Sequence, residues 1–380
     1  MFFKKLKECL TGITALWLMA WTGAVHAEWG LNLTRGVTPI SHEVYDLHML
    51  ILWVVTIIGI GVFSVMFWSI LHHRKSKGAV SAKFHHSTTA EIVWTIIPIL
   101  ILVGMAIPAT KTLIKMEQTG DADMTIKVTG YQWKWKYDYM DDGLSFFSVL
   151  AQDSNDARQP GSNIDLNSID HYLLDVDQPI VLPINKKIRI LTTANDVIHA
   201  WWVPALGWKR DAIPGFINDN WIIIEEPGTY RGQCAELCGK DHGFMPIVVK
   251  AVPEEEYVAW VKKMKMAKAA AAASGDRDFS KDELMASGKE LYSKNCAVCH
   301  MAEGQGIPGT FPALAGSAIA TTPEGLPDHI DRILHGKNLM PPFGEQLSDA
   351  DIAAVVTYER NAWGNDTGDV VQPKDIKAAR

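Results

Sequence analysis

The 380-residue chain carries 36 Lys and Arg against 43 Asp and Glu, a formal charge of −7, and 48% of its residues are hydrophobic. That acidic balance, with no glycine-rich phosphate loop, argues against nucleic-acid and nucleotide binding. Once two long apolar runs are set aside, enough chain is left for two modest domains.

Lys4, Lys5 and Lys7 precede the apolar stretch Ile13 to Trp21 and the small residues around Val25-His26-Ala27, the order of a cleavable export signal over residues 1–27. Cys9 leaves with it, and the remaining cysteines, Cys234, Cys238, Cys296 and Cys299, all fall in motifs. Leu47 to Leu71 and Ile92 to Thr110 contain no Lys, Arg, Asp or Glu, which predicts a transmembrane hairpin over 28–115 with helices at about 47–71 and 92–114. The connection between them carries Arg74, Lys75, Lys77 and Lys83 and no acid. It therefore belongs on the cytoplasmic side, with both termini and everything after Lys111 facing outward.

From Thr125 to Val252 the pattern is that of short strands punctuated by Gly and Pro, an antiparallel sandwich or barrel. "TIKVTGYQWKWKYDY" alternates as one strand, which puts Trp133 and Trp135 on one face, either in the core or at the membrane surface. An alanine- and lysine-rich stretch over 261–279 lacks a hydrophobic face and reads as a semi-rigid helical spacer. It separates a β-domain at 116–260 from a helical domain at 280–366, which is followed by a polar tail at 367–380.

The segment Cys234 to Met245, "CAELCGKDHGFM", holds two thiols, His242 and Met245 in one loop. Outside the cytoplasm a disulfide is the ordinary expectation for two such cysteines, but a disulfide has no use for the histidine and methionine. Zinc accepts Cys and His, whereas thiolate, imidazole and thioether together favour copper. His199, at a predicted strand end, is the candidate for a second imidazole.

"NCAVCH" places Cys296 and Cys299 as covalent haem c attachments and His300 as an axial iron ligand. Met340 in "NLMPPFGE" is the expected sixth ligand, with His335 as the fallback. Residues 276–380 hold 16 acids against 10 bases. Such a face suits a basic electron donor and a salt-sensitive association.

The Cys234 to Met245 loop, together with "VIHAWWVPALGWKRDAIPG" and "GYQWKWKY", resembles subunit II of the haem-copper cytochrome c oxidases from the first membrane helix to about Lys250. The remainder resembles a class I cytochrome c domain. The resemblance implies a multidomain membrane protein: a two-helix transmembrane hairpin, an all-β cupredoxin-like Greek-key barrel and a small all-α cytochrome c domain. It implies a dinuclear copper A centre bridged by Cys234 and Cys238, capped by His199 and His242, with Met245 as a weak ligand and the Glu236 carbonyl as another. It further implies that the Glu236 side chain binds magnesium at the subunit I boundary and that Trp133 is where electrons enter. Glu91 has two readings: it completes a capping box with Thr88 as N-cap, or it marks the mouth of a proton-uptake path.

The implied function is electron transfer from a periplasmic cytochrome c donor, through haem c and copper A, to subunit I, where oxygen is reduced. Subunit III and membrane lipid are the further expected partners. The expected location is a bacterial inner membrane, with both termini and the copper and haem domains on the periplasmic side. An electron-entry subunit of a copper A-containing nitric oxide reductase, or a tethered copper-binding cytochrome without an oxidase partner, would carry some of the same motifs.

Overall fold

The structure, a computed structural model, describes residues 32–380 apart from 81, 82, 84, 160, 275 and 276. The export signal expected at 1–27, with Cys9, lies outside the described residues.

Two helices come first, α1 (Pro39–His72) and α2 (Thr88–Met116). α1 starts sharply because Pro39 presets the first helical position and Thr38 and Ser41 cap each other reciprocally. α2 is capped by Ser87, whose hydroxyl accepts from the Ala90 amide, and not by Thr88. Glu91 consequently lies a turn inside the helix, exposed and outside any capping box. Both helices are long and apolar enough to cross a membrane, and their most apolar stretches are bare of protein neighbours. Pro98 and Pro108 interrupt α2 internally, which lipid-facing helices tolerate more readily than soluble ones. Both helices begin or end against the β-domain: Thr38 Oγ1 donates to the Leu206 carbonyl and Trp221 Nε1 donates to the Lys115 carbonyl, while Lys115 pairs with Glu43 to tie the two helices together.

The β-domain is a sandwich of two five-stranded sheets. One runs β3 (Leu144–Ser148), β2 (Lys134–Tyr139), β1 (Met124–Tyr131), β5 (Ile188–Ala194), β8 (Asn218–Ile222). The other runs β4 (Ile180–Pro183), β10 (Pro246–Val252), β9 (Gly228–Cys234), β6 (His199–Trp202), β7 (Lys209–Ala212). The stretch expected as one strand from 125 to 139 is a tight hairpin, turning at Gln132-Trp133. The expectation of purely antiparallel pairing also gives way, because β1 pairs with β5 and β4 with β10 in parallel through long crossovers. Alternating residues Ile126, Val128, Trp135, Tyr137, Ile188 and Ile190 point inward and are fully buried between the sheets.

A 21-residue helix, α4 (Glu254–Ser274), follows after the short α3 (Gln152–Ala157) earlier in the chain. Its first turns are not a bare spacer: Tyr257 and Val261 are buried, and Trp260 packs on Tyr139 at 5.2 Å between ring centroids. Beyond it lie α5 (Lys281–Asn295), α6 (Ala297–His300), α7 (Ala318–Thr321), α8 (Leu326–His335), α9 (Asp349–Asn361) and α10 (Pro373–Ala379). α5 crosses α9 so closely that a Cβ at Gly288 would stand 2.2 Å from the Ala354 carbonyl oxygen, so only glycine fits. This pair, with Ile352, Val355, Val356, Ile330 and Ile333, forms a second core separate from that of the sandwich.

Candidate metal centres

β9 ends at Cys234 and β10 starts at Pro246, so residues 235–245 form a loop anchored at both ends by an antiparallel ladder. β6 pairs with β9 through Trp201 and Cys234, and this places His199, the first residue of β6, over the loop. His199 is wholly buried because Gly130 on β1 leaves it room; a Cβ there would lie 2.7 Å from its ring.

Six donors gather at this point. The sulfurs of Cys234 and Cys238 are 3.8 Å apart, and both thiols are free. His199 Nδ1 stands 3.9 Å from the Cys234 sulfur, and His242 Nδ1 stands 3.5 Å from that of Cys238. Met245 Sδ lies 3.5 Å from the Cys238 sulfur, and the Glu236 carbonyl oxygen lies 3.3 Å from Cys234. The two imidazoles thus approach different sulfurs of one buried thiol pair.

The surroundings fix these donors. Asp196 Oδ1 stands 2.9 Å from His199 Nε2, which leaves Nδ1 to face the sulfurs. The Cys238 carbonyl accepts from both Gln132 Nε2 at 2.8 Å and Trp133 Nε1 at 3.1 Å. Trp135 Nε1 donates to the Met245 carbonyl, and its ring meets His199 edge-on. Arg158 forms a nearly buried ion pair with Asp241 at 3.0 Å and lies over the Phe244 ring.

Titration of the thiols follows from this packing. The hydrogen bond with Cys238, then that with His199, holds Cys234 below the ordinary thiol range, while Cys238 keeps the shared proton and is pushed up. Burial disfavours the charged form of His199, but Asp196 and Cys234 outweigh it and raise the imidazole. A metal displacing the remaining proton would meet two thiolates. The donor chemistry fits copper: zinc has no use for the buried thioether of Met245.

The haem motif sits at the junction of α5 and α6. Cys296 closes α5 and opens α6, and the Cys299 amide turns back to the Cys296 carbonyl. Burial pushes both thiols above their usual range, which keeps them protonated, and they are not paired in a disulfide. His300 is buried with Nδ1 2.8 Å from the Pro312 carbonyl, which accepts its N–H and leaves Nε2 for a metal. These residues fit a covalently held haem. Met340 lies in a short backbone bridge with Lys337 and packs against the helical core. His335, the fallback ligand, instead points outward to Asp331 at 2.9 Å.

Placement of the other sequence candidates is mixed. Trp133 belongs to the β1–β2 turn and touches the thiol loop directly, while Trp135 is in the core. Glu236 is partly buried at the loop's tip beside the exposed Leu237. Glu91 is near the start of α2, some 25 residues from the end that meets the β-domain, roughly 37 Å at helical rise. The structure therefore does not bring it to either centre. Asp196, Gln132, Gly130 and Arg158 escaped sequence reasoning; only Asp196, three residues before His199, stood close enough in sequence to be noticed.

Family comparison agrees with this division. Residues 26–112 match the model for the cytochrome c oxidase subunit II transmembrane domain, and residues 124–252 match that for its periplasmic domain. Residues 283–358 match the model described as cytochrome c oxidase, cbb3-type, subunit III. The "Probable cytochrome c oxidase subunit 2" of Rickettsia prowazekii is 42% identical over 61% of this chain and 72% of its own length. The subunit 2 of Cereibacter sphaeroides is 37% identical over 62% of this chain and 80% of its own, and that of Arabidopsis thaliana 39% over 61% and 88%. A crystal structure of the periplasmic domain of subunit II from Bradyrhizobium japonicum is 42% identical, covering 40% of this chain and 99% of that one, with a TM-score of 0.35. The chain belongs to the cytochrome c oxidase subunit II family, as a membrane-anchored electron-transfer subunit extended by a cytochrome c domain.

Proposed function

We propose that this chain is the electron-entry subunit of a proton-pumping cytochrome c oxidase, with its own haem c ahead of a dinuclear copper centre. The observation that carries the reading is the buried, unoxidised thiol pair with an imidazole Nδ1 presented to each sulfur. Cys234 and Cys238 would bridge two coppers, with His199, His242, Met245 and the Glu236 carbonyl completing the ligands; Cys296, Cys299, His300 and Met340 would hold the haem. Bound there, the two groups supply one-electron carriers, the copper pair sharing its electron over both ions.

This chain's residues then position and insulate. Asp196 orients His199, Trp135 and Gly130 shape its pocket, and Gln132 and Trp133 fix the Cys238 carbonyl. Burial of the thiols excludes water and oxidant from the sulfurs. In this reading Trp133 is the entry residue for electrons that come from outside the loop, and its direct hydrogen bond to the Cys238 carbonyl supports that role. The Glu236 carboxylate, partly exposed beside Leu237, would hold a magnesium ion shared with subunit I. Glu91 marks the cytoplasmic mouth of a proton path, which its exposure at the start of α2 permits. In this reading both domains lie on the periplasmic face of the inner membrane, beside subunits I and III, and the two apolar helices support the anchoring. Electrons arrive from a periplasmic cytochrome c and leave to the haem of subunit I, where oxygen becomes water.

Electron paramagnetic resonance on the full chain, with haem attached and copper supplied, tests this. A mixed-valence signal from one electron spread over two coppers, lost in Cys234→Ser while a low-spin haem c signal persists, is the expected result. A mononuclear copper signal, or Cys234 and Cys238 found as a disulfide in protein from native membranes, refutes it.

A further inference from the structure

The haem-attachment turn lies directly against the copper loop. Lys240, between Cys238 and His242, donates from Nζ to the Val298 carbonyl at 2.7 Å, and Val298 is the residue just before Cys299. Its ammonium also stands 5.9 Å from the centre of the Phe311 ring. On the other flank Lys134 Nζ donates to Asn295 Oδ1 at 3.1 Å, the residue just before Cys296, and sits between the Phe147 and Phe343 rings at 4.7 and 5.1 Å. Each lysine is thus bonded beside one of the two attachment cysteines, Lys134 next to Cys296 and Lys240 next to Cys299. A polar fringe completes the contact: Gln152 Nε2 meets Ser293 Oγ at 2.8 Å, Asn155 Nδ2 meets the Ser293 carbonyl at 3.2 Å, and Lys294 lies 3.8 Å from Asp177.

We propose that this face of the copper domain is a built receptor for the chain's own haem-attachment turn, with Lys240 as the positioning residue that bridges the two cofactor motifs and Lys134 as the check on register. The inference rests on the electron-entry reading for its purpose, though not for its geometry. The lysines divide the work. Lys240 keeps part of its surface in water, so its hydrogen bond forms at little desolvation cost and contributes affinity. Lys134 is buried, and a buried ammonium contributes little net affinity, but a docking that leaves it without an acceptor is strongly penalised. Asn295 supplies that acceptor only when the turn is seated as observed, so the pair selects one docking geometry. The surface the two lysines present is then occupied by the chain itself.

The test uses the full chain in detergent, comparing wild type with Lys240→Met, Lys240→Arg and Asn295→Leu. Amide exchange over 293–298 reads the docking whether or not cofactors are present, and in the loaded chain the dipolar relaxation of the haem by copper reads the separation of the centres. Lys240→Met should lower protection of 293–298 by about tenfold, and Asn295→Leu, which strands the Lys134 ammonium, by more. Both should weaken the dipolar coupling, and Lys240→Arg, which keeps a donor, should restore both readouts. Unchanged protection in Lys240→Met and Asn295→Leu overturns the receptor. A chain that fails to bind copper or haem while protection falls as stated would instead sink the electron-entry reading and leave the receptor standing.

Discussion

Asp196 offers the sharpest quantitative test of the metal-centre geometry. His199 is fully buried, and among the described residues its only hydrogen-bond partner away from the sulfurs is the Asp196 carboxylate at 2.9 Å from Nε2. Asp196→Ala would leave a buried imidazole N–H without an acceptor, a cost of about 1–3 kcal/mol. Loss of an outer partner of a metal-bound histidine ordinarily weakens metal affinity by about 10–100-fold, the same scale reached by a different route. The two arguments together set an expected weakening of copper binding of at least tenfold. Asp196→Asn keeps one acceptor oxygen for His199 but loses the charge and faces the Gln132 amide with an NH2 that cannot accept, so it should fall between wild type and alanine. The assay is competition for copper(I) against chelators of graded affinity, on the full chain in detergent. Because Asp196 Oδ2 also accepts from the Gln132 amide at 2.8 Å, thermal unfolding of the metal-free chain separates loss of the turn from loss of ligand orientation. A copper affinity within about threefold of wild type in Asp196→Ala would refute the reasoning, since the oriented imidazole would then be contributing nothing.

Gly130→Ala should reduce copper loading without unfolding the sandwich, because the added Cβ at 2.7 Å from the His199 ring displaces a ligand; metal content at unchanged circular dichroism checks it. Arg360 is fully buried and donates to the Ile319 and Thr322 carbonyls at 2.8 Å while pairing with the more exposed Asp369, so Arg360→Met should destabilise the helical domain by about 1–3 kcal/mol, through the carbonyls left without a donor, in thermal unfolding followed at the haem band. Burial lowers the Lys134 ammonium to about 8 in the docked chain, against 10.5 when solvated. Docking is therefore opposed by the full cost of burying the charge below pH 8 and strengthens as pH rises from about 8 to 10.5. Haem–copper dipolar coupling measured across that range should increase with pH in wild type and be flat in Lys134→Met.

Legibility in the sequence tracked how locally a feature is encoded. The thiol loop and the haem motif were readable because their donors lie within a few residues of each other, so ligand type and spacing carry the chemistry. The two membrane helices were readable from uninterrupted apolar runs, although the capping residue of α2 was misplaced by one position, since Ser87 and Thr88 are equally able caps. The β1–β2 hairpin was not read: Gln132-Trp133 contains none of the residues that ordinarily signal a turn, and the aromatic alternation Tyr131, Trp133, Trp135 runs across it, while the only trace is the change of phase from Ile126 and Val128 to Trp135 and Tyr137. Parallel pairing was hidden as well, because strands brought together by long crossovers leave no local trace. The same holds for the fixing contacts at the metal loop, where Arg158 reaches Asp241 across more than 80 residues, and for the seating of the haem turn on the lysines.

That distribution has a physical reason. An electron carrier works fastest when its ligands need not move on oxidation or reduction, which requires the loop to be held by something other than the metal. The 235–245 loop has almost no regular structure of its own, one turn of 3₁₀ helix at His242–Phe244. It is held from outside at Cys238 by Gln132 and Trp133, at Asp241 by Arg158, and at Met245 by Trp135. All four residues belong to a rigid scaffold: the β1–β2 turn, β2 and the end of α3. Lys134 follows Trp133 in the same turn-and-strand segment, and Lys240 lies inside the loop, so the elements that stiffen the thiol site also receive the haem turn. A change that loosens the β1–β2 turn should therefore disturb both copper binding and docking, whereas one confined to Asn295 should disturb docking alone. If Asn295→Leu weakened copper affinity as much as Asp196→Ala, the docked haem turn itself would have to be counted among the supports of the thiol loop.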